Sequence, residues 1–278
     1  MPSLTKKDVL REWRESAPYW AKHSAIVRAM FAPITSGLIE AAAINSGDSV
    51  LDVAGGSGEP AITIAQAIGA PIVFTDPVAE MVATSRRQAI DLGLSNMAFT
   101  RCAGEALPFA TGAFDVVVCR LGIMLFPDPS AAIREILRVL KPGGRLALAV
   151  WSTSASNPFF HVVANVVSRY VESPSEDPDA PGAFRFAERG KLAGWLRDAG
   201  AVEVTERILQ FNLEAPLKPK QFWEVRCELS DTLRAKVASL SPEQVSNLAR
   251  EVEEAGSAFH IAGQMKFPAE VLIVSARR

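Results

Sequence analysis

The chain has 278 residues, 49% of them hydrophobic and 22% charged, with a formal net charge of -2. That length supports a sizeable core in one elaborated domain or in two. The near-neutral balance excludes the basic footprint of a nucleic-acid binder, no run of 18 apolar residues marks an integral membrane span, and the charged start MPSLTKKDVLREWRESAP lacks a secretory h-region, so cytoplasmic placement is expected.

In chain order, Trp13, Tyr19, Trp20, Ile26, Met30 and Phe31 recur at partly helical spacing, which predicts helices laid over a cleft. Ser49 to Ala61 follows as SVLDVAGGSGEPA. Val50, Leu51 and Val53 are the β-favouring residues of a buried parallel strand. Gly55, Gly56 and Gly58 then let the backbone approach a ligand, and Pro60 suits a first helical turn. A strand, glycine-rich turn and helix in this order form a nucleotide or nucleoside site at the carboxyl end of a parallel sheet. Gly56, Gly58 and Ala61 also satisfy the dinucleotide fingerprint, so a nicotinamide cofactor stays open. Asp52 argues against it, because a carboxylate at the strand mouth repels a pyrophosphate and suits a cationic nucleoside.

Pro71 to Thr75 form a second apolar strand ending at Asp76, eighteen positions past Gly58, where an acid meets a ribose diol. Asp76 also suits an N-cap before Pro77, with Met81 and Val82 facing inward. Phe114 to Cys119 (FDVVVC) reads as a central parallel strand. Asp128 and Pro129 open a helix with Ile133, Ile136, Leu137 and Leu140 on its inner face, Lys141 to Gly144 end it, and Arg145 to Trp151 (RLALAVW) form the next strand. The order is βαβαβ.

The segments VLDVAGGSGEPA, FTDP, GEALPF, FDVVVCRLGIMLFPDP and LKPGGRLALAVW together resemble the class I S-adenosylmethionine-dependent methyltransferases, within the group that holds the ubiquinone/menaquinone biosynthesis C-methyltransferases and small-molecule O-methyltransferases. The resemblance covers about Ser46 to Trp151. It implies an α/β, Rossmann-like, doubly wound seven-stranded sheet with an antiparallel last strand and helical lid insertions. It divides one integrated domain into an N-terminal helical cover (1–45), an S-adenosylmethionine-binding core (46–151) and a remainder with substrate-lid insertions (152–278). By the same resemblance the glycine loop, Ala54, Gly55, Gly56, Ser57 and Gly58, holds the cofactor. Gly56 and Gly58 line its methionine end and Asp52 lies near its amino group. Asp76 holds the ribose, beside Pro77 and Met81. Gly104, Glu105 and Ala106 flank the adenine, while Arg120, Leu121 and Gly122 lie beside the methyl group. The family often places an acid where this chain has Ala103, so adenine recognition rests here on backbone groups and Glu105.

Beyond the core, Ser152 to Phe186 reads as a helix and then a long Pro/Ser-rich loop over Ser173 to Gly182, expected to act as a lid. Glu188 to Ala199 reads as a helix ended by Gly200, Val202 to Leu213 as a strand, Leu217 to Ala258 as helical, and Ala269 to Ala276 as the last strand. Cys102, Cys119 and Cys227 are scattered, as are His23, His161 and His260, so no metal site is expected. His161, following the fifth strand, is the candidate catalytic base, with His23 and Tyr19 behind it. The function expected is methyl transfer from S-adenosyl-L-methionine, leaving S-adenosyl-L-homocysteine, to a small apolar or aromatic acceptor by O- or C-methylation. An NAD(P)-dependent oxidoreductase and a non-catalytic S-adenosylmethionine-binding protein are the alternatives. The expected partner is that small-molecule acceptor, not a nucleic acid, and the oligomeric state is open.

Overall fold

A computed structural model describes residues 6–172 and 177–278 of the chain. Its elements run α1 (Lys6–Lys22), α2 (Ser24–Ala42), β1 (Val50–Val53), α3 (Ala61–Ala67), β2 (Ile72–Asp76), α4 (Ala79–Asp91), β3 (Met97–Arg101), β4 (Phe114–Arg120), α5 (Pro129–Val139) and β5 (Leu140–Trp151). They continue with α6 (Pro158–Val167), α7 (Lys191–Asp198), β6 (Val202–Ala215), α8 (Pro219–Leu229), α9 (Asp231–Ala238), α10 (Pro242–Ser257), β7 (His260–Ile261) and β8 (Gln264–Arg277).

The sheet order is β3-β2-β1-β4-β5-β8-β6. Strands β1 to β5 pair in parallel, and β8 runs antiparallel to both β5 and β6. This is the doubly wound arrangement expected, with the order reversing beside β1, where ligands bind in such sheets. The seven expected strands make up this path, and the two-residue β7 adds an eighth by pairing with the start of β8.

Every residue of β1 is buried, and β4 buries Val116, Val117, Val118 and Cys119 completely, as befits strands covered on both faces. Helix α2 is long and apolar enough to cross a membrane by length and composition. Here it is a core helix: Val27, Phe31, Ile34 and Leu38 are buried, and it packs across β4, β5, β6 and β8. Gly37 allows that approach, since a Cβ there would sit 2.6 Å from Ile273 Cδ1.

Several boundaries move for local reasons. α5 begins as expected, with the Asp128 carboxylate accepting from Ala131 N at 2.8 Å and Pro129 in the first turn. α7 starts at Lys191, later than expected, because Gly190 stands at φ 81 and donates its N–H to Glu206. The expected helical span from Leu217 to Ala258 is three helices, broken where Ser230 and Ser241 turn their hydroxyls onto Leu233 N and Gln244 N as N-caps.

Of the expected lid loop, Ser173 to Glu176 lie outside the described residues. The part that follows is pinned beside the end of β4: Gly182 N donates to Met124 O at 3.2 Å and Arg185 Nη1 to Phe126 O at 2.6 Å. Asn157 holds the opposite edge. Fully buried, it donates through Nδ2 to Thr153 O and Glu270 O and accepts from Glu270 N, fixing the turn after β5 against β8. Asn157→Ala leaves Glu270 N unpaired, while Thr153 O keeps Ser156 N and Glu270 O keeps Ser152 N; it should cost about 1–3 kcal/mol, read as a drop in the urea midpoint with an unchanged slope.

Candidate active site

A cleft of about 960 Å³, counting its open mouth, lies at the carboxyl ends of β1, β2 and β4. Its floor is the glycine loop, Ala54 to Ser57. Asp76, Pro77, Val78 and Met81 form one wall, Ala103 to Glu105 the end, and Arg120 to Gly122 with Leu125 to Pro127 the other wall. Val9, Leu10, Trp13 and Trp20 of α1 and Phe31 of α2 close it from above, so the N-terminal helices do cover it.

The glycines of the loop do different jobs. Gly56 stands at φ +58, lines the cleft, and a Cβ on it would meet no protein atom, so its missing side chain is space left for a ligand. Gly55 also lines the cleft, but a Cβ there would lie 2.4 Å from both Asp52 Oδ2 and the Phe74 ring. Gly58 is not among the lining residues. Its Cβ would lie 2.6 Å from Ile62 Cδ1 and 3.2 Å from Ser85 Oγ, so it serves the packing of the loop on α3 and α4.

Asp76 is the hinge of the site. One carboxylate oxygen accepts from Gly56 N at 3.0 Å and the other from Val78 N at 2.8 Å, while the residue still faces the cleft. Burial pushes its pKa up to about 6, the two N–H donors holding it back. The N-cap expected of it is in fact a loop cap, since α4 starts three residues later, at Ala79.

Asp52 does not reach the cleft. It is fully buried beneath the loop, where Oδ2 accepts from Ala61 N at 3.3 Å and Oδ1 has no hydrogen-bond partner. Burial drives its pKa up to about 8, offset in part by the Arg120 guanidinium. Arg120 lines the cleft, donates to Thr35 Oγ1 at 2.9 Å and lies 5.6 Å from the Phe31 ring centre. Burial lowers its pKa, and Glu59 and Asp52 pull it back up.

Of the residues singled out from the sequence, Ala54, Gly55, Gly56, Ser57, Asp76, Pro77, Met81, Gly104, Glu105, Arg120 and Leu121 line the cleft. Asp52, Gly58 and Ala106 do not, and neither do the candidate bases. His161 stands on α6, His23 faces Glu228 of α8, and Tyr19 lies under the Arg234 guanidinium.

Glu59 escaped the sequence reading. It is 4% exposed, lines the cleft and sits 2.8 Å from Arg28 Nε in a charge contact without hydrogen-bond angles. Arg28 also donates to Gln88 Oε1 at 2.6 Å, joining α2, the loop and α4. The cover expected of α1 takes a specific form. Trp13 and Trp20 join Ala17, Val78 and Met81 in a separate apolar cluster over the wall that carries Asp76.

The lining thus carries three carboxylates, Glu59, Asp76 and Glu105, against one guanidinium. Glu105 Oε1 and Trp20 Nε1 are buried there without partners. An acidic cleft with bare backbone at its floor and unpaired acceptors and donors on its walls fits a nucleoside with cationic groups.

The fold is that of the methyltransferases on which the chain superposes, and the cleft lies where doubly wound sheets bind ligands. Residues 35–171 match the model of the ubiE/COQ5 methyltransferase family, which bears out the resemblance drawn from the motifs. An uncharacterised Mycobacterium tuberculosis protein, Rv1405c, is 32% identical over 181 residues, 64% of this chain and 64% of that protein. The chain therefore spans somewhat under two thirds of that relative's own length. The ubiquinone/menaquinone biosynthesis C-methyltransferase UbiE of Cellvibrio japonicus is 38% identical over 117 residues, 41% of this chain and 47% of that one. Phosphoethanolamine N-methyltransferase 2 of Haemonchus contortus, solved with phosphomonomethylethanolamine and S-adenosylhomocysteine, superposes with a TM-score of 0.59. At 15% identity over 96% of this chain and 60% of that one, it shows the shared fold.

The two raised carboxyls make a prediction for the ligand-free protein. Asp52 and Asp76 keep protons in the folded state that the unfolded chain releases near the ordinary aspartate value of 3.8. Their contribution to stability is therefore full below about pH 4 and is lost as pH rises through about 6 and then about 8. Urea midpoints measured from pH 5 to 8.5 should fall across that window. Asp52→Asn should flatten the decline above pH 6.5; an unchanged slope would disprove the assignment.

Proposed function

We propose that this chain transfers a methyl group from S-adenosyl-L-methionine to a small, apolar or aromatic acceptor. The observation that carries the reading is the pairing of Gly56, whose absent side chain opens onto the cleft, with Asp76, which holds that glycine's N–H and still presents its carboxylate to the same space.

When bound, S-adenosylmethionine supplies a methyl group already activated on a sulfonium. What is left to the protein is alignment and the exclusion of water. In this reading Asp76 accepts from the ribose hydroxyls, Gly55, Gly56 and Ser57 take the methionine end, and Pro77, Met81, Gly104 and Glu105 flank the adenine. Asp52 acts from below: a cationic guest favours its ionised form, and its charge holds Arg120 toward the floor. Arg120, Leu121 and Phe31 bound the space where acceptor and methyl meet. Trp13 and Trp20 keep water from that space.

No titratable base lies among the lining residues apart from the three carboxylates. Carbon methylation of an electron-rich ring requires none during attack, which favours a carbon or already ionised oxygen nucleophile.

Asp76→Ala should weaken S-adenosylhomocysteine binding at least tenfold, since hydrogen bonds to a charged acceptor are worth about 1.5–3 kcal/mol each. Calorimetry on a variant whose circular dichroism matches wild type makes the measurement, and equal affinity would refute the ribose role. A melting temperature raised by NADPH or NADH and not by S-adenosylhomocysteine would favour the oxidoreductase reading. Tight cofactor binding without transfer of a labelled methyl to any of a broad panel of phenols and quinols would favour the non-catalytic one.

A further inference from the structure

Arg120 is the one cationic side chain in the lining of the cleft among the described residues. It ends β4, paired with Ala149 of β5, and Leu121 after it stands at φ 60 with its N–H on Ala149 O at 2.9 Å. A leucine in that left-handed conformation is strained, and the turn fixes where β4 releases the arginine. The side chain is fixed too. Its Nη1 donates to Thr35 Oγ1 at 2.9 Å, and the guanidinium lies 5.6 Å from the ring centre of Phe31.

The rest of the guanidinium is uncommitted. Among the described residues no acceptor takes its Nε or Nη2, and no carboxylate stands within ion-pair distance of it. Glu59 and Asp52 pull its pKa up through space and Arg28 pushes it down, but Glu59 is held by Arg28 and Asp52 lies beneath the loop. A guanidinium does not shed its charge near neutral pH, so its spare donors are left for a guest.

The wall around Arg120 narrows what that guest is. Phe31, Leu121, Leu125 and Phe126 are apolar or aromatic, and the lining holds no histidine, lysine, tyrosine or cysteine to take a proton. A guanidinium ionises a weakly acidic hydroxyl without accepting its proton, because the nearby positive charge stabilises the anion and the proton leaves to water. A carboxylic acid is ionised at neutral pH already. A phenol, with an ordinary pKa of about 10, is the class for which that help makes the difference.

We propose that Arg120 holds the methyl acceptor by an ionised oxygen, and that the acceptor is a phenol or enol bound as its anion. This rests on the methyltransferase reading above for the word acceptor, but not for the anion. The ring or enol system lies against Phe31 and Leu121, and the oxygen takes the free edge of the guanidinium in charge-assisted hydrogen bonds. Arg120 thereby selects acceptors by acidity, and no separate base is required.

The probe is 4-nitrophenol, whose anion alone absorbs visible light, titrated with pH in the presence and in the absence of saturating S-adenosylhomocysteine. That thioether carries no charge on sulfur, so a preference for the anion belongs to the protein. Wild type should bind the anion about tenfold more tightly than the phenol, which lowers the apparent pKa of the bound probe by about one. Arg120→Met should abolish the preference while S-adenosylhomocysteine affinity stays within about threefold of wild type, and Arg120→Lys should keep part of it. Where Arg120→Met does not fold, Arg120→Gln, which keeps a donor for Thr35, makes the same comparison. Binding of the probe without preference, binding of neither form, or a preference that survives loss of the charge would overturn the proposal. So would a loss of S-adenosylhomocysteine affinity of about tenfold that is absent for its decarboxylated analogue, which would give the guanidinium to the cofactor's own carboxylate. Failure of wild type to bind S-adenosylhomocysteine would sink the methyltransferase reading, yet the titration without it would still decide the role of Arg120.

Discussion

The site depends on one carboxylate that serves two masters. Asp76 holds Gly56 N and Val78 N at 3.0 and 2.8 Å, and so ties the loop after β1 to the loop after β2. Without that tie the glycine loop has little of its own to hold it, since Gly56 stands at φ +58 and contacts nothing through a side chain. The same carboxylate faces the cleft, so the group that sets the loop's shape also forms part of the cleft wall. Beneath it, Asp52 caps the start of α3 from a fully buried position. Burial pushes both pKa values up, that of Asp52 to about 8 with a small further push from Asp76, and that of Asp76 to about 6, so at neutral pH the buried acid holds its proton and the one facing the cleft is ionised. With Glu59, Asp76 and Glu105 in the lining against Arg120 alone, the cleft suits a pyrophosphate poorly.

Much of this was legible in the sequence because it is local. Asp128 and Pro129 cap and open α5, Pro219 and Pro242 open α8 and α10, and the spacing from Gly58 to Asp76 follows from one strand, one helix and one strand. The βαβ order carried the parallel part of the sheet with it, and the antiparallel last strand came with the family resemblance. The three helices from Pro219 to Ser257 were readable from Ser230 and Ser241, had those serines been taken as N-caps.

What could not be read depends on contacts between distant positions. A glycine's role is set by what its missing Cβ would strike: Gly58 answers to Ile62 and Ser85, and Gly56 to open space. No local pattern separates them. Asp52 was placed on the correct strand, yet whether its side chain turns into the cleft or beneath it depends on the loop's path. Glu59 reads as a surface acid until Arg28 of α2 is brought beside it. The candidate histidines failed to line the cleft for a like reason. Following a strand in sequence places a residue near the right edge of the sheet, but the face of α6 that carries His161 is fixed by packing on α10 and β8.

The cover is held differently from the sheet it covers. Within the sheet, the central strands β1 and β4 are held by backbone pairing and by burial of nearly all their residues. Helix α1 is fastened to the helical insertion by polar contacts: Lys22 and His23 to Glu228, and Ser16 to Arg234 at 2.6 Å. The Lys22 side chain is 60% exposed and Glu228 28%, so water and salt screen that pair and its loss costs little. The apolar cluster of Trp13 and Trp20 on Val78 and Met81 supplies most of the remaining hold, and those residues line the cleft themselves. Roof and wall thus meet in one apolar contact, Trp13 and Trp20 on Val78 and Met81. The aromatic residues that roof the cleft are therefore also those that hold the cover to its wall.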